Sequence, residues 1–179
     1  MKKQSGLTLV ELMVTLSLAA ILLVTATPSF VSYTKDNRRT TYINELVSSL
    51  NLARSEAAKS NSMVAFCPSS NGADCAGDNY DSGWIVFRND DGDQPPVIDS
   101  GEAILRTHEG TQLSGTSLRA SGGVDTGINF QPSGRPLPFG DITYCDDRGN
   151  SAARSVVVNL VGVIMASDKH ADGSALTCP

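Results

Sequence analysis

The sequence predicts an α+β chain: one long N-terminal α-helix, membrane-spanning in its first half, whose second half packs on a C-terminal antiparallel β-rich head. Three observations carry that expectation. Leu7 to Thr27 is a run of 21 residues with a single charge, Glu11. Beyond Pro28 the chain turns polar, yet Ile43, Leu46, Val47, Leu50, Ala53 and Ala57 keep three- and four-residue steps and so form one apolar stripe. After Asn61 that period does not return, and short apolar runs alternate with Gly, Asp, Asn and Pro. The segments expected are a basic leader over 1–6, an apolar helix over 7–31, an amphipathic continuation over 32–61 and a head over 62–179.

The apolar run is long enough for a hydrocarbon core at about 1.5 Å per residue. It exceeds the roughly 7–15 apolar residues of a secretory signal, and no small-x-small site closes it. Glu11 needs a reason, because a carboxylate at membrane depth costs about 2.5–3.5 kcal/mol. A cut between Gly6 and Leu7 supplies one. Lys2 and Lys3, which hold the leader on the cytoplasmic side, would leave with it. The helix would then begin at a free amine on Leu7, with Glu11 in its first turn, where the helix dipole favours an anion. Glu11 can neutralise that amine on its own chain or on a neighbour. An uncleaved anchor or signal peptide with a chance glutamate is the competing reading.

Gly6-Leu7-Thr8-Leu9-Val10-Glu11 resembles the class III leader of type IV pilins and type II secretion pseudopilins. The family usually has Phe where Leu7 stands. It also has a proline 22 residues into the processed chain, the position of Pro28. The resemblance implies a pilin fold and a prepilin peptidase that cuts after Gly6 and methylates the amine of Leu7. Glu11 then guides the subunit into a filament. Pro28, which has no N–H to donate, should kink or locally melt the helix. The partners implied are the peptidase, the inner membrane and other minor and major pilins. The location implied is the bacterial inner membrane, single-pass with a periplasmic head, and after assembly a pilus or pseudopilus.

The helix is expected from Glu11 to about Asn61, with Lys35, Arg38, Arg39, Glu45, Arg54 and Glu56 on its solvated face. The strands expected are Met63–Cys67, Trp84–Phe87, Ala103–Thr107, Ile128–Phe130, Ile142–Cys145, Arg154–Leu160 and Val163–Ala166. Turns fall at Gly122-Gly123, Gly134-Arg135-Pro136 and Gly149-Asn150. Trp84 and Phe87 are expected to fill the head core. Head motifs narrow the likeness. Leu52-Ala53-Arg54-Ser55-Glu56-Ala57, Val64-Ala65-Phe66-Cys67, Gly83-Trp84-Ile85-Val86-Phe87, Ile128-Asn129-Phe130, Gly134-Arg135 and Thr143-Tyr144-Cys145-Asp146-Asp147-Arg148-Gly149 resemble the FimT/FimU minor pilins and the related GspH pseudopilins. Members of that group are minor subunits that prime assembly near a filament tip, so the function implied is that of a minor pilin. A GspH-type pseudopilin of type II secretion is the first alternative, and a DNA-binding minor pilin for transformation the second.

Net charge is −5, with 14 basic against 19 acidic residues; without Lys2 and Lys3 it is 12 against 19, or −7. An acidic chain has no bulk attraction for nucleic acid. The DNA-binding branch of the group carries Gly-Arg-x-Arg where this chain has Gly162-Val163-Ile164-Met165. Arg148, Arg154 and Lys169 nearby are offset by Asp146, Asp147 and Asp168. DNA is therefore not an expected partner, and Val163–Met165 reads first as core strand and second as an edge for a protein neighbour. The four cysteines, Cys67, Cys75, Cys145 and Cys178, allow three pairings into two disulfides in an oxidising compartment. Closeness in sequence favours Cys67–Cys75, leaving Cys145–Cys178. Zinc is not expected without paired C-x₂-C spacing. Asn89-Asp90-Asp91-Gly92-Asp93 resembles a calcium loop but lacks the downstream bidentate Glu, and a polar hairpin tip explains it. His108 and His170 stand apart in sequence with no nucleophile and base beside them, and Ser69, Ser70 and Ser82 lie in turns. No metal, cofactor or enzymatic activity is expected.

Overall fold

A computed structural model describes the chain except residues 1–5, 7, 78, 112–114 and 179, and the side chains of 24–28. The expected processing position Leu7 and the side chain of Pro28 thus lie outside the described residues. The chain divides into two compact units, Met1–Thr40 and Thr41–Pro179. Helix α1, Leu9–Ser60, belongs to both.

Within the first unit the apolar residues from Leu9 to Leu23 are all exposed. A helix that is apolar all round must be covered by something else. Two of its hydroxyls already bond back to the helix itself. Thr15 Oγ1 donates to Leu12 O at 2.9 Å and Ser17 Oγ to Met13 O at 2.8 Å. Neither hydroxyl therefore needs water, which suits a dry environment. Among the described residues no helix is long and apolar enough to cross a membrane, a statement that does not reach Leu7 or the side chains of 24–28.

In the second unit Leu46, Leu50, Ala53 and Ala57 of α1 are fully buried. They pack with β-strand residues in the main core. Among the described residues the strands are β1 Val64–Pro68, β2 Gly83–Arg88, β3 Ile104–Glu109, β4 Ser117–Ser121, β5 Ile128–Phe130, β6 Pro136–Leu137, β7 Gly140–Cys145, β8 Arg154–Val158 and β9 Ile164–Ser167. They form two sheets, ordered β3-β2-β1-β5-β6 and β4-β7-β8-β9. Every strand pair is antiparallel.

β1 and β2 read as continuous apolar runs because both their faces are covered. Phe66, Trp84 and Val86 join the core against α1, while Ala65, Cys67, Ile85 and Phe87 form a second cluster with Cys75 and Ile98. Trp84 and Phe87 are both fully buried, the packing role expected of them. Trp84 Nε1 also donates to Ser49 Oγ on α1 at 3.0 Å, so its one polar atom is satisfied. Tyr80 is buried beside Phe66, its hydroxyl donating to Val124 O at 2.7 Å. Burial, with Asp125 adding to it, pushes the Tyr80 hydroxyl well above its ordinary pKa.

The structure corrects several strand boundaries. β8 stops at Val158 rather than Leu160, because Asn159 turns the chain: its Oδ1 accepts the N–H groups of Val161 and Val163. Gly162 completes that hairpin at φ +81, where a Cβ would lie 2.0 Å from Gly134 O. β9 then begins at Ile164 and forms a sheet edge, with Val163 and Met165 exposed rather than in the core. β4 and β6 have no counterpart in the sequence reading. β4 offers one buried apolar residue, Leu118, and β6 is two residues long. Arg54, expected in solvent, is half-buried beneath the Gly134 and Gly162 turns.

Candidate functional site

The start of α1 is built by Thr8. Thr8 O accepts Leu12 N at 3.1 Å, and Thr8 Oγ1 accepts Glu11 N at 3.3 Å. Thr8 is thus an N-cap, and Thr8-Leu9-Val10-Glu11 has the T-x-x-E spacing of a capping box, with Glu11 three residues into the helix. Sequence reasoning missed this, although the spacing alone signals it. The Glu11 carboxylate is exposed in the first turn and has no ion-pair partner among the described residues. Around it stand Leu9, Val10, Leu12, Met13 and Val14, each more than half exposed. An acid set in bare apolar surface, and unpartnered within its own described residues, is suited to meet a cation when that surface is covered. Gly6 is exposed just ahead of the cap.

On the head, the two disulfides join Cys67 to Cys75 and Cys145 to Cys178, the pairing that spacing favoured. The second anchors the C-terminal segment, where Leu176 is buried beside Cys145. The Asn89–Asp93 run is a loop organised by Asn89. That residue is fully buried, accepts Gly92 N and donates to Asp93 O and Asn129 Oδ1. Asp91, Asp93 and Asp99 lie close together there, but Asp93 already accepts Val97 N through both oxygens and Asp91 accepts Asp93 N. A polar loop tip explains the run.

The two histidines are not isolated, which corrects the sequence reading. His108 Nε2 lies 2.7 Å from Glu45 Oε2, and its ring stacks on Trp84 with centroids 3.9 Å apart, so β3 is clasped to α1. His170 Nδ1 lies 2.9 Å from Asp141 Oδ2, and Ser121 Oγ donates to Asp141 Oδ1. Serine, histidine and aspartate therefore meet, but not as a catalytic triad. Ser121 approaches the same Nδ1, at 3.5 Å, so Nε2 is not aimed at the hydroxyl. Arg148, a candidate phosphate donor, is engaged by Asp146 through Nε at 3.0 Å and Nη2 at 2.7 Å. Arg154 and Lys169 are exposed, and Asp168 stands next to Lys169 in sequence.

Residues 42–162 match the family model described as type II transport protein GspH. The chain belongs to the GspH family. Residues 1–27 match the prokaryotic N-terminal methylation motif. Among curated proteins none matches. The fold is that of the type IV minor pilin FimU of Pseudomonas aeruginosa, seen in two crystal forms. One is 20% identical with a TM-score of 0.57 and covers 75% of this chain and 92% of that one; the other is 19% identical at 0.54, covering 72% and 91%. This GspH-family chain therefore joins a methylation motif to a minor-pilin fold. That is the α+β architecture, and the FimT/FimU likeness, expected from its residues.

Proposed function

We infer that this protein is a minor pilin, a structural and non-enzymatic subunit that joins the priming and tip complex of a type IV pilus. The observation that carries the inference is the order of parts on one chain. A methylation motif over 1–27 takes in the exposed apolar start of α1, and a GspH-family head over 42–162 follows it. Prepilin peptidase removes residues 1–6 after Gly6 and methylates the Leu7 amine. The subunit waits in the inner membrane with its head in the periplasm, held by the 7–31 segment, and Pro28 gives that helix a place to bend. On assembly, the apolar surface around Glu11 passes from lipid to neighbouring pilin helices, and Glu11 takes the positively charged amine of a neighbour. Trp84, His108 and the two disulfides keep the head rigid while the helix docks.

The family model's own description favours a second reading, a minor pseudopilin of type II secretion. Deleting the gene and scoring both surface piliation and export of secreted enzymes separates the two. Loss of pili with export intact is the expected result, and the tagged subunit should appear in sheared filaments. Normal piliation with failed export would assign it to secretion. DNA binding has the least support, because the Gly162–Met165 stretch carries no cation and Arg148 is already paired.

A further inference from the structure

A cavity of about 390 Å³ opens on the head between the Ser121–Gly122 turn, Phe139–Asp141 and the C-terminal segment His170–Ser174. Filament docking through α1 makes no use of it. At its base Asp141 is 1% exposed and takes four donors: Ser121 Oγ and Ala171 N on one oxygen, Thr143 Oγ1 and His170 Nδ1 on the other. A carboxylate so filled has no capacity left for a ligand, but it fixes the imidazole. In the tautomer that donates Nδ1–H to Asp141, Nε2 is an acceptor, and Nε2 has no partner among the described residues. Asp172 on the rim accepts Ser174 N at 2.8 Å and Ser174 Oγ at 2.6 Å. Those bonds hold its carboxyl below the usual range, so it too is an acceptor. Phe139 is 47% exposed and supplies an apolar ring face. Gly122 and Gly140 line the cavity without side chains, and a Cβ on Gly140 would lie 2.2 Å from Ser121 O.

The chemistry of a guest follows from what the walls lack. Side-chain acceptors and an aromatic face are present, while no lysine or arginine lines the cavity, so the carboxylates of Asp141 and Asp172 disfavour an anion. The guest must carry several donors on one edge and an apolar face on the other. A pyranose has both, and the volume falls in the range of small-ligand sites, about 300–1,000 Å³. We propose that this cavity binds a neutral mono- or disaccharide, its C–H face on Phe139 and its hydroxyls donating to His170 Nε2 and Asp172.

The test is NMR of the full chain in detergent micelles, titrated with glucose, galactose, mannose, N-acetylglucosamine and maltose, and separately with argininamide. The chain has two histidines, so His108, clasped between Glu45 and Trp84, is the internal reference. At least one sugar is expected to shift the His170 ring signals saturably and leave His108 unmoved. Phe139→Ala should then weaken binding roughly 2- to 12-fold, the worth of one aromatic contact. Asp172→Asn, at an exposed position, should weaken it as well. The proposal is overturned if no sugar moves His170, if only argininamide does, or if both variants bind sugar as well as the parent chain.

Discussion

Glu11→Ala separates the two uses that the N-terminal geometry allows this residue, helix capping and pairing with a neighbour. As a first-turn anion it adds about 0.3–1 kcal/mol to its own helix. The Thr8 cap beneath it, with Oγ1 accepting Glu11 N at 3.3 Å, is worth about 0.5–2 kcal/mol. Entering the membrane without the acid becomes easier by about 2.5–3.5 kcal/mol. None of these terms impairs insertion, so the variant should reach the membrane at the parent level. If Glu11 instead neutralises an amine in a dry helix bundle, removing one partner costs about 3–5 kcal/mol, or roughly 150- to 5,000-fold in incorporation. The assay is an immunoblot of sheared filaments normalised to the membrane fraction, with Thr8→Ala alongside. Glu11→Ala should fall to about one hundredth or less, while Thr8→Ala, which loses the cap alone, should stay within about thirtyfold of the parent. Near-parent incorporation of Glu11→Ala would refute the pairing, and so would a Thr8→Ala defect as deep as that of Glu11→Ala.

Three further outcomes concern the head. Leu50→Ala empties a fully buried position between α1 and the sheets and should cost about 2–5 kcal/mol in thermal or denaturant unfolding. Opening Cys145–Cys178 with paired serines should cost about 3–4 kcal/mol by chain entropy, against about 2.5 kcal/mol for Cys67–Cys75, because the residues lie 33 rather than 8 apart. Equal losses in denaturant melts would count against that ranking. Tyr80 has a folded-state pKa raised above its unfolded value, so its contribution is complete below about pH 10 and is lost as pH climbs further. Stability should therefore drop by about 1.4 kcal/mol per pH unit in that alkaline window, and Tyr80→Phe should flatten the slope.

What the residues made legible was local. A stripe at helical spacing, with Leu46 to Ala57 later found buried, follows from α-helix geometry alone. The continuous apolar runs of β1 and β2 follow from coverage on both faces. What stayed hidden depends on pairing between distant segments. β4 is a polar strand whose place comes from its register with β7, where Ser121 stands opposite Asp141. That register, and a C-terminal segment tied down at Cys178, bring Ser121, Asp141 and His170 together from far apart in sequence. His108 met Glu45 only because β3 lies across α1. The Val163–Met165 stretch, apolar enough for a core, proved to be a sheet edge, since edge and interior are decided by strand order. The Thr8–Glu11 cap, by contrast, is local and legible from its T-x-x-E spacing alone.

The most direct measurement is the intact mass and N-terminal peptide of the protein isolated from its native membrane. Expected is a chain that begins at Leu7, lacks residues 1–6 and carries one methyl group on its amine. A protein that still holds Met1 to Gly6 would leave Glu11 no terminal amine to meet and would contradict assembly into a filament by this route.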